Sequence, residues 1–220
     1  MTRIFNYPII SILIMLTCFA SQAQNINIQI NDIENKALEN IVVYLEPENK
    51  ALLTKEQLSV RPIATMDQVN RQFSPHILVV NKATKISFPN SDKIKHHVYS
   101  FSPAKTFEIK LYSDDKSAPL LFEQTGNVTL GCNIHDWMLG YVYVVDTPWF
   151  GTTDEQGNIK FDIPDGKYTL KIWHPLFQDI DQSFSQIIDV TSDNKLTIKL
   201  KEAMNPAYSA YEEDDELDEY

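Results

Sequence analysis

Cysteine is nearly missing from this chain. Of its two cysteines, Cys18 lies in an amino-terminal segment that reads as an export leader, so the mature protein keeps Cys132 alone. One thiol cannot form an internal disulfide. An unpaired cysteine in an exported protein needs a reason, such as a ligand role, a reactive role or burial. Basic clusters are missing too. The formal net charge is −11. Removing the leader with its single base, Arg3, makes it −12; seven of those charges belong to the acidic end "YEEDDELDEY", leaving about −5 on the body. With no basic patch, nucleic acid is not an expected partner. No apolar run suffices to cross a bilayer, which takes about 20 residues, so no membrane span is expected. No nucleophile–base pair stands out.

Residues 1–23 carry the marks of a signal peptide. Arg3 supplies a thin positive start, Ile9 to Phe19 is almost wholly apolar, and Ser21-Gln22-Ala23 places small residues at a cleavage point after Ala23. Thr17, not a small residue, precedes Cys18, which argues against lipid anchoring. Sec-dependent export to the periplasm is the expectation.

What remains reads as β structure. "NINIQIND" (Asn25 to Asp32) alternates apolar and polar residues, the period of a half-buried strand, and "NIVVYLEP" (Asn40 to Pro47) is a second strand stopped by proline. Glu48 to Arg61 is a polar connector that could hold a short helix in "LTKEQL". Then "HILVVN", "TKISFPN", "HHVYSFS", "TFEIKLY", "GNVTLGC" and "GYVYVVD" follow at short intervals, the spacing of a sandwich or barrel. A third group is "GNIKFDI", "GKYTLKIWH", "SQIIDVT" and "NKLTIKL", with "DEQG" and "PDG" as hairpin turns by composition. Residues 203–220 are small, polar and acidic, and read as a disordered tail.

The chemistry concentrates in "GCNIHDWM", Gly131 to Met138. Cys132, His135 and Met138 stand at C-x2-H-x2-M in a loop between two strands. Thiolate, imidazole and thioether are soft or borderline ligands, the set that suits copper cycling between two oxidation states. A trigonal site of two imidazoles and one thiolate needs another histidine, and "KHHVYSFS" offers His96 and His97. Neighbouring strand residues point to opposite faces, so one of the two should reach the metal.

"FSPHILVVNKATKISFPNSDKIKHHVYSFS" followed by "GNVTLGCNIHDWMLGYVYVV" resembles a type 1 copper cupredoxin of the plastocyanin and amicyanin branch. The C-x2-H-x2-M spacing is similar to that of amicyanin. More closely, about Phe73 to Pro148 resembles the bacterial periplasmic cupredoxin-like proteins often labelled "methylamine utilization protein". The resemblance implies one type 1 copper ion held by His96, Cys132, His135 and, weakly, Met138. It departs in one place: the asparagine that usually follows the first histidine is His97 here. The segment "MDQVNRQF", Met66 to Phe73, recurs in the proteins this stretch resembles, with no chemical reason evident in its residue types. His76 and His174 sit at strand ends and are expected to be structural.

The flanks resemble a second family. "TTDEQGNIKFDIPDGKYTLKIWHP" (Thr152 to Pro175) and "IQINDIENKALENIVVYLEP" are similar to the two parts of a carboxypeptidase regulatory-like (transthyretin-like) β-sandwich, with Asn35 where a turn glycine is usual. Those parts are normally joined by a short loop, and here about 100 residues intervene. The expected architecture is therefore all-β: a cupredoxin Greek-key β-sandwich over 62–148, set into a second, small, discontinuous β-sandwich made of 24–47 and 150–200. The expected function is a periplasmic electron carrier with a redox protein partner, the second sandwich docking to an envelope protein. A copper chaperone or store, and a non-metal envelope β-sandwich, are the rivals. A site with all four positions filled leaves no place for substrate, so no enzyme is expected.

Overall fold

The computed structural model describes residues 23–54, 62–113, 118–178, 184–191 and 194–206. Residues 1–22 of the leader, the second half of the connector (55–61) and residues 207–220 of the acidic tail lie outside the described residues, as does most of "LTKEQL". Two strands open the chain, Ala23–Asn31 (β1) and Val42–Pro47 (β2), followed by a single 3-10 turn at Lys50–Leu52. Three short strands come next: Ala64–Thr65 (β3), Asp67–Val69 (β4) and Gln72–Ser74 (β5). The middle of the chain supplies Ile77–Asn81 (β6), Thr84–Ser87 (β7), His96–Ser102 (β8), Lys105–Tyr112 (β9), Leu120–Phe122 (β10), Gly126–Gly131 (β11) and Leu139–Val145 (β12). The last strands are Phe150–Thr152 (β13), Asn158–Pro164 (β14), Gly166–Trp173 (β15), Phe184–Val190 (β16) and Asn194–Lys199 (β17).

These strands make two β-sandwiches, so the chain is all-β. In the middle one, a five-stranded sheet β6-β12-β11-β8-β9 faces a three-stranded sheet β10-β7-β3. The chain passes back and forth between them, the connectivity of a Greek-key sandwich. Phe88, Phe122, Val98, Val128, Leu130 and Val142 fill the space between, each fully buried. In the outer sandwich the order is β14-β1-β17 on one side and β13-β2-β15-β16 on the other. Strands from the two ends of the chain are neighbours here. β1 pairs antiparallel with β14 (Ile26 opposite Phe161) and parallel with β17 (Ile28 opposite Leu196). β2 lies between β13 and β15. Ile26, Ile28 and Ile30 turn inward at every second position while Asn25, Asn27 and Gln29 are more exposed, the alternation expected of a strand with one wet face. Asn35 takes φ 68°, a left-handed conformation that asparagine tolerates better than most residues, which explains how it replaces a turn glycine.

β2 is buried on both faces. Val43 and Leu45 enter the outer core. Val42 and Tyr44 enter a third apolar cluster with Ile77, Tyr143, Val145 and Trp173, which forms a seam between the sandwiches. A strand covered on both sides needs a continuous apolar run, which "IVVYL" supplies. Within the seam Trp173 stacks on Tyr143 (centroids 4.6 Å apart, planes at 27°) and the Tyr44 and Tyr143 hydroxyls lie 3.3 Å apart.

The turns at "DEQG" and "PDG" close tightly, with the Gly157 N–H donating to Asp154 O at 2.8 Å, but neither makes a hairpin. β13 and β15 belong to one sheet and β14 to the other, so each turn carries the chain across the core. Turn composition reports a reversal of direction and is silent on which strand the next one pairs with.

Candidate metal centre

β11 and β12 pair along their length, Gly131 opposite Leu139. The intervening loop is therefore held at both feet. It is tightened by the Met138 N–H donating to His135 O (3.0 Å) and the Leu139 N–H donating to Trp137 O (3.0 Å). Cys132, at the first foot, is 4% exposed, and Met138, at the other, is 1% exposed; both belong to the core cluster of the middle sandwich. β8 lies beside β11 and begins with His96, which is fully buried.

These elements bring three donors together. Cys132 Sγ lies 3.9 Å from His96 Nδ1 and 3.6 Å from His135 Nδ1. The three ligand atoms all fall within 4.8 Å of one another. The two imidazole centroids are 4.9 Å apart, inclined at 51°. An ion in a trigonal site, about 2.0 Å from nitrogen and about 2.3 Å from sulfur, would hold N and S about 3.7 Å apart. The two observed sulfur–nitrogen separations bracket that value, so Cys132 stands at about the spacing from each imidazole that a shared ion requires. A thiolate and two imidazoles are also the right chemistry for copper or zinc. Met138 is placed by backbone and burial rather than by a contact to the other donors: it sits in the same core as Cys132, and its backbone is bonded to His135.

The neighbouring His97 turns away. Its Nε2 lies 2.9 Å from Glu108 Oε1, its ring packs near Tyr99, and its Nδ1 is buried without a hydrogen-bond partner among the described residues. Among the described residues, the His97 side chain thus makes no hydrogen bond to the loop that carries Cys132 and His135. Asn90 makes bracing bonds of its own nearby, its Nδ2 donating to Ile94 O and Tyr112 O at 2.9 and 3.0 Å. Asp92, which the sequence reading missed, faces His96 directly: Oδ2 lies 2.7 Å from His96 Nε2. A carboxylate four residues before a histidine was the available signal, and it is a weak one.

Electrostatics at the site follow from this packing. Burial pushes the His135 imidazole below its ordinary pKa, and the nearby His96 and Arg71 push the same way against Asp92. A neutral imidazole is the form that binds a metal. Burial raises the Asp92 carboxyl, but hydrogen bonds from Arg71, His96 and Asn70 outweigh it, so its pKa lies below the usual carboxylate value.

Around the loop tip Ile134, Trp137 and Leu139 are exposed by 51%, 38% and 38%, and the Trp137 ring lies 5.5 Å from His135. The imidazole at the surface is thus collared by apolar side chains. His76 and His174 lie apart from this group. His76 packs edge-on against Tyr141, and His174 Nδ1 accepts from the Leu176 N–H at 3.2 Å. Among the described residues, His96, Cys132 and His135 form the single convergent group of such ligands.

No family model matches the chain, and no curated protein matches it. Among solved structures, the chain is similar to a copper-containing nitrite reductase from Thermus scotoductus SA-01, at 20% identity and TM-score 0.37, over 40% of this chain and 24% of that one. This chain thus spans about a quarter of the reductase. It is similar to a purple cupredoxin from Nitrosopumilus maritimus at 22% identity and TM-score 0.34, over 37% of this chain and 99% of that one. It is also similar to a point mutant of amicyanin in its reduced Cu(I) form, at 15% identity and TM-score 0.35, over 46% of this chain and 99% of that one.

Proposed function

We propose that the chain is a periplasmic type 1 copper protein that carries single electrons between redox partner proteins. The observation that carries this reading is the convergence of His96 Nδ1 and His135 Nδ1 on Cys132 Sγ, at 3.9 and 3.6 Å, at the end of a paired β scaffold. When bound, copper supplies a one-electron couple. The chain does the rest. His96, Cys132 and His135 would hold the ion, and Met138 would add a weak thioether donor. Ligands anchored on β8, β11 and β12 have little freedom to move between oxidation states. The apolar collar of Ile134, Trp137 and Leu139 sheds water and offers a face to a redox partner. Burial of Cys132 and His96 favours a resident ion over the exchangeable one a copper store would need. No substrate position is left at such a site, so the reading includes no enzymatic activity.

The pairing of β1 and β2 with strands beyond Phe150 supports one discontinuous sandwich, 24–47 with 150–200, carrying the 62–148 region as an insertion. We assign it a supporting role and docking to an envelope protein.

The test is spectroscopic. The mature chain, residues 24–220, is loaded with Cu(II), and its visible absorption and electron paramagnetic resonance are recorded beside Cys132→Ser. An intense thiolate charge-transfer band with narrow copper hyperfine splitting, lost in the variant, is the expected result. A weak signal indifferent to the substitution would overturn the reading and leave a structural β protein with a buried thiol.

A further inference from the structure

The segment Met66 to Phe73 is the part of the sequence that the metal loop does not account for. In the structure it is a hairpin, β4 antiparallel to β5, with Asn70 and Arg71 as the two turn residues at φ 53° and 58°. Positive φ at both central positions is the turn that matches strand twist in a two-residue hairpin. The hairpin is bolted to the loop ahead of His96. Asp67 Oδ2 accepts from Ser91 Oγ at 2.7 Å, and the Ser91 N–H donates to Gln68 O at 3.1 Å. Gln68, fully buried, donates from Nε2 to Pro89 O at 2.8 Å and also meets the Tyr112 hydroxyl. Beneath the hairpin, Phe73 packs so closely on Gly140 that a Cβ there would come within 2.7 Å of it.

The turn presents its two successive N–H groups to one side chain. Asn70 N donates to Asp92 Oδ1 at 2.7 Å and Arg71 N to Asp92 Oδ2 at 2.9 Å. The Asp92 N–H in turn donates to Asn90 Oδ1 at 3.0 Å. The carboxylate is thus held from several directions, with 13% of its side chain exposed. It lies 2.7 Å from His96 Nε2. An ionised carboxylate only accepts, so the ring nitrogen facing it carries the proton. The other nitrogen, Nδ1, keeps its lone pair, and that is the atom turned toward Cys132. A His–Asp pair serving stability alone has no need to leave a lone pair aimed at a buried thiol.

We propose that Asp92, clamped by the turn of the 67–74 hairpin, is a positioning residue for the metal centre: it fixes His96 as the Nε2–H tautomer and favours the more highly charged oxidation state of the bound ion. The second half of this assignment rests on the copper reading above; the first does not. Outer partners of this kind typically change metal affinity by about 10–100-fold.

The experiment has two arms on the mature chain. In the metal-free protein, long-range proton–nitrogen correlation spectra read the His96 tautomer. Wild type is expected to show Nε2–H alone, and Asp92→Ala a mixture. A wild-type His96 protonated on Nδ1, or an unchanged pattern in the variant, overturns the proposal whether or not copper binds. In the copper-loaded protein, competition titrations and voltammetry compare wild type with Asp92→Asn, which keeps the size and removes the charge. Cu(II) affinity is expected to fall about tenfold more than Cu(I) affinity, a rise in reduction potential of about 59 mV for one electron. An unchanged potential overturns the charge effect. Asn70→Gly, which keeps the N–H and the positive φ, is expected to behave as wild type. A shift as large as that of Asp92→Asn would mean general loosening and overturn the assignment. Failure of wild type to bind copper refutes the electron-carrier reading while the tautomer result still decides the positioning role.

Discussion

Trp173 is the residue whose loss should report on the seam between the sandwiches. It closes β15 and is 2% exposed. Its ring stacks on Tyr143 at 4.6 Å and meets Tyr141 at 6.0 Å and 64°. A buried tryptophan removes up to about 250 Å² from water. At about 25 cal/mol per Å² that is about 6 kcal/mol as an upper figure, and partial collapse of the space left behind brings truncation to alanine to about 3–5 kcal/mol. The loss falls between the two sandwiches rather than within either core, so it should uncouple them as well as weaken them. Trp173→Ala is therefore expected to lower the denaturant midpoint and to split one unfolding transition into two, followed by tyrosine fluorescence and far-ultraviolet dichroism. The copper spectrum should persist, because Cys132, His96 and Met138 do not belong to the seam cluster. A cost under about 1 kcal/mol with a single transition would refute the claim that this seam couples the two halves.

Two further outcomes follow from buried groups outside the site. Burial first, and then the neighbouring His76, push the His174 pKa down to about 4. The folded chain then binds fewer protons than the unfolded one between about pH 4 and 6.5, so stability should fall as pH drops through that window, by up to about 3 kcal/mol; His174→Gln should flatten that slope in metal-free protein, and an unaltered slope would refute the assignment. Thr153 is buried, accepts from the Ile41 N–H at 3.0 Å and donates to Leu38 O at 2.6 Å; Thr153→Val should cost about 1–3 kcal/mol in chemical denaturation by leaving both backbone groups without a partner.

Much of this was legible because one-face burial writes itself into alternate residues. Ile26, Ile28 and Ile30 announce β1, and the unbroken run at 41–45 announces a strand with two dry faces. The candidate metal loop was legible from spacing, since Cys132, His135 and Met138 stand three apart between two strands. The choice between His96 and His97 depends on which face of the β8 strand turns toward the core that holds Cys132, and alternation narrows it to one of the two without saying which. The clamp was not legible. β4 and β5 are three residues each, too short for periodicity; Phe73 anchors them in the core, and side-chain carboxylates and amides tie them to the loop ahead of His96. Hydrogen bonds between residues more than 20 positions apart, such as Asn70 to Asp92, leave no local pattern. The same limit explains the turns at 154–157 and 164–166, where composition gave the reversal correctly and the sheet assignment had to come from pairing.

The placement of β2 carries a consequence for how the molecule comes into being. Its partners, β13 and β15, are synthesised about 100 residues later, so the earliest strands to emerge have nothing to pair with until the latest arrive. Closing a flexible loop of that length has an entropic cost that grows with the logarithm of its length. A middle sandwich that folds on its own draws Asn81 and Val145 together as opposed residues, which shortens the gap the outer strands must close. Assembly would then run from the inside outward, against the order of synthesis, and β1 and β2 would be the last to find shelter.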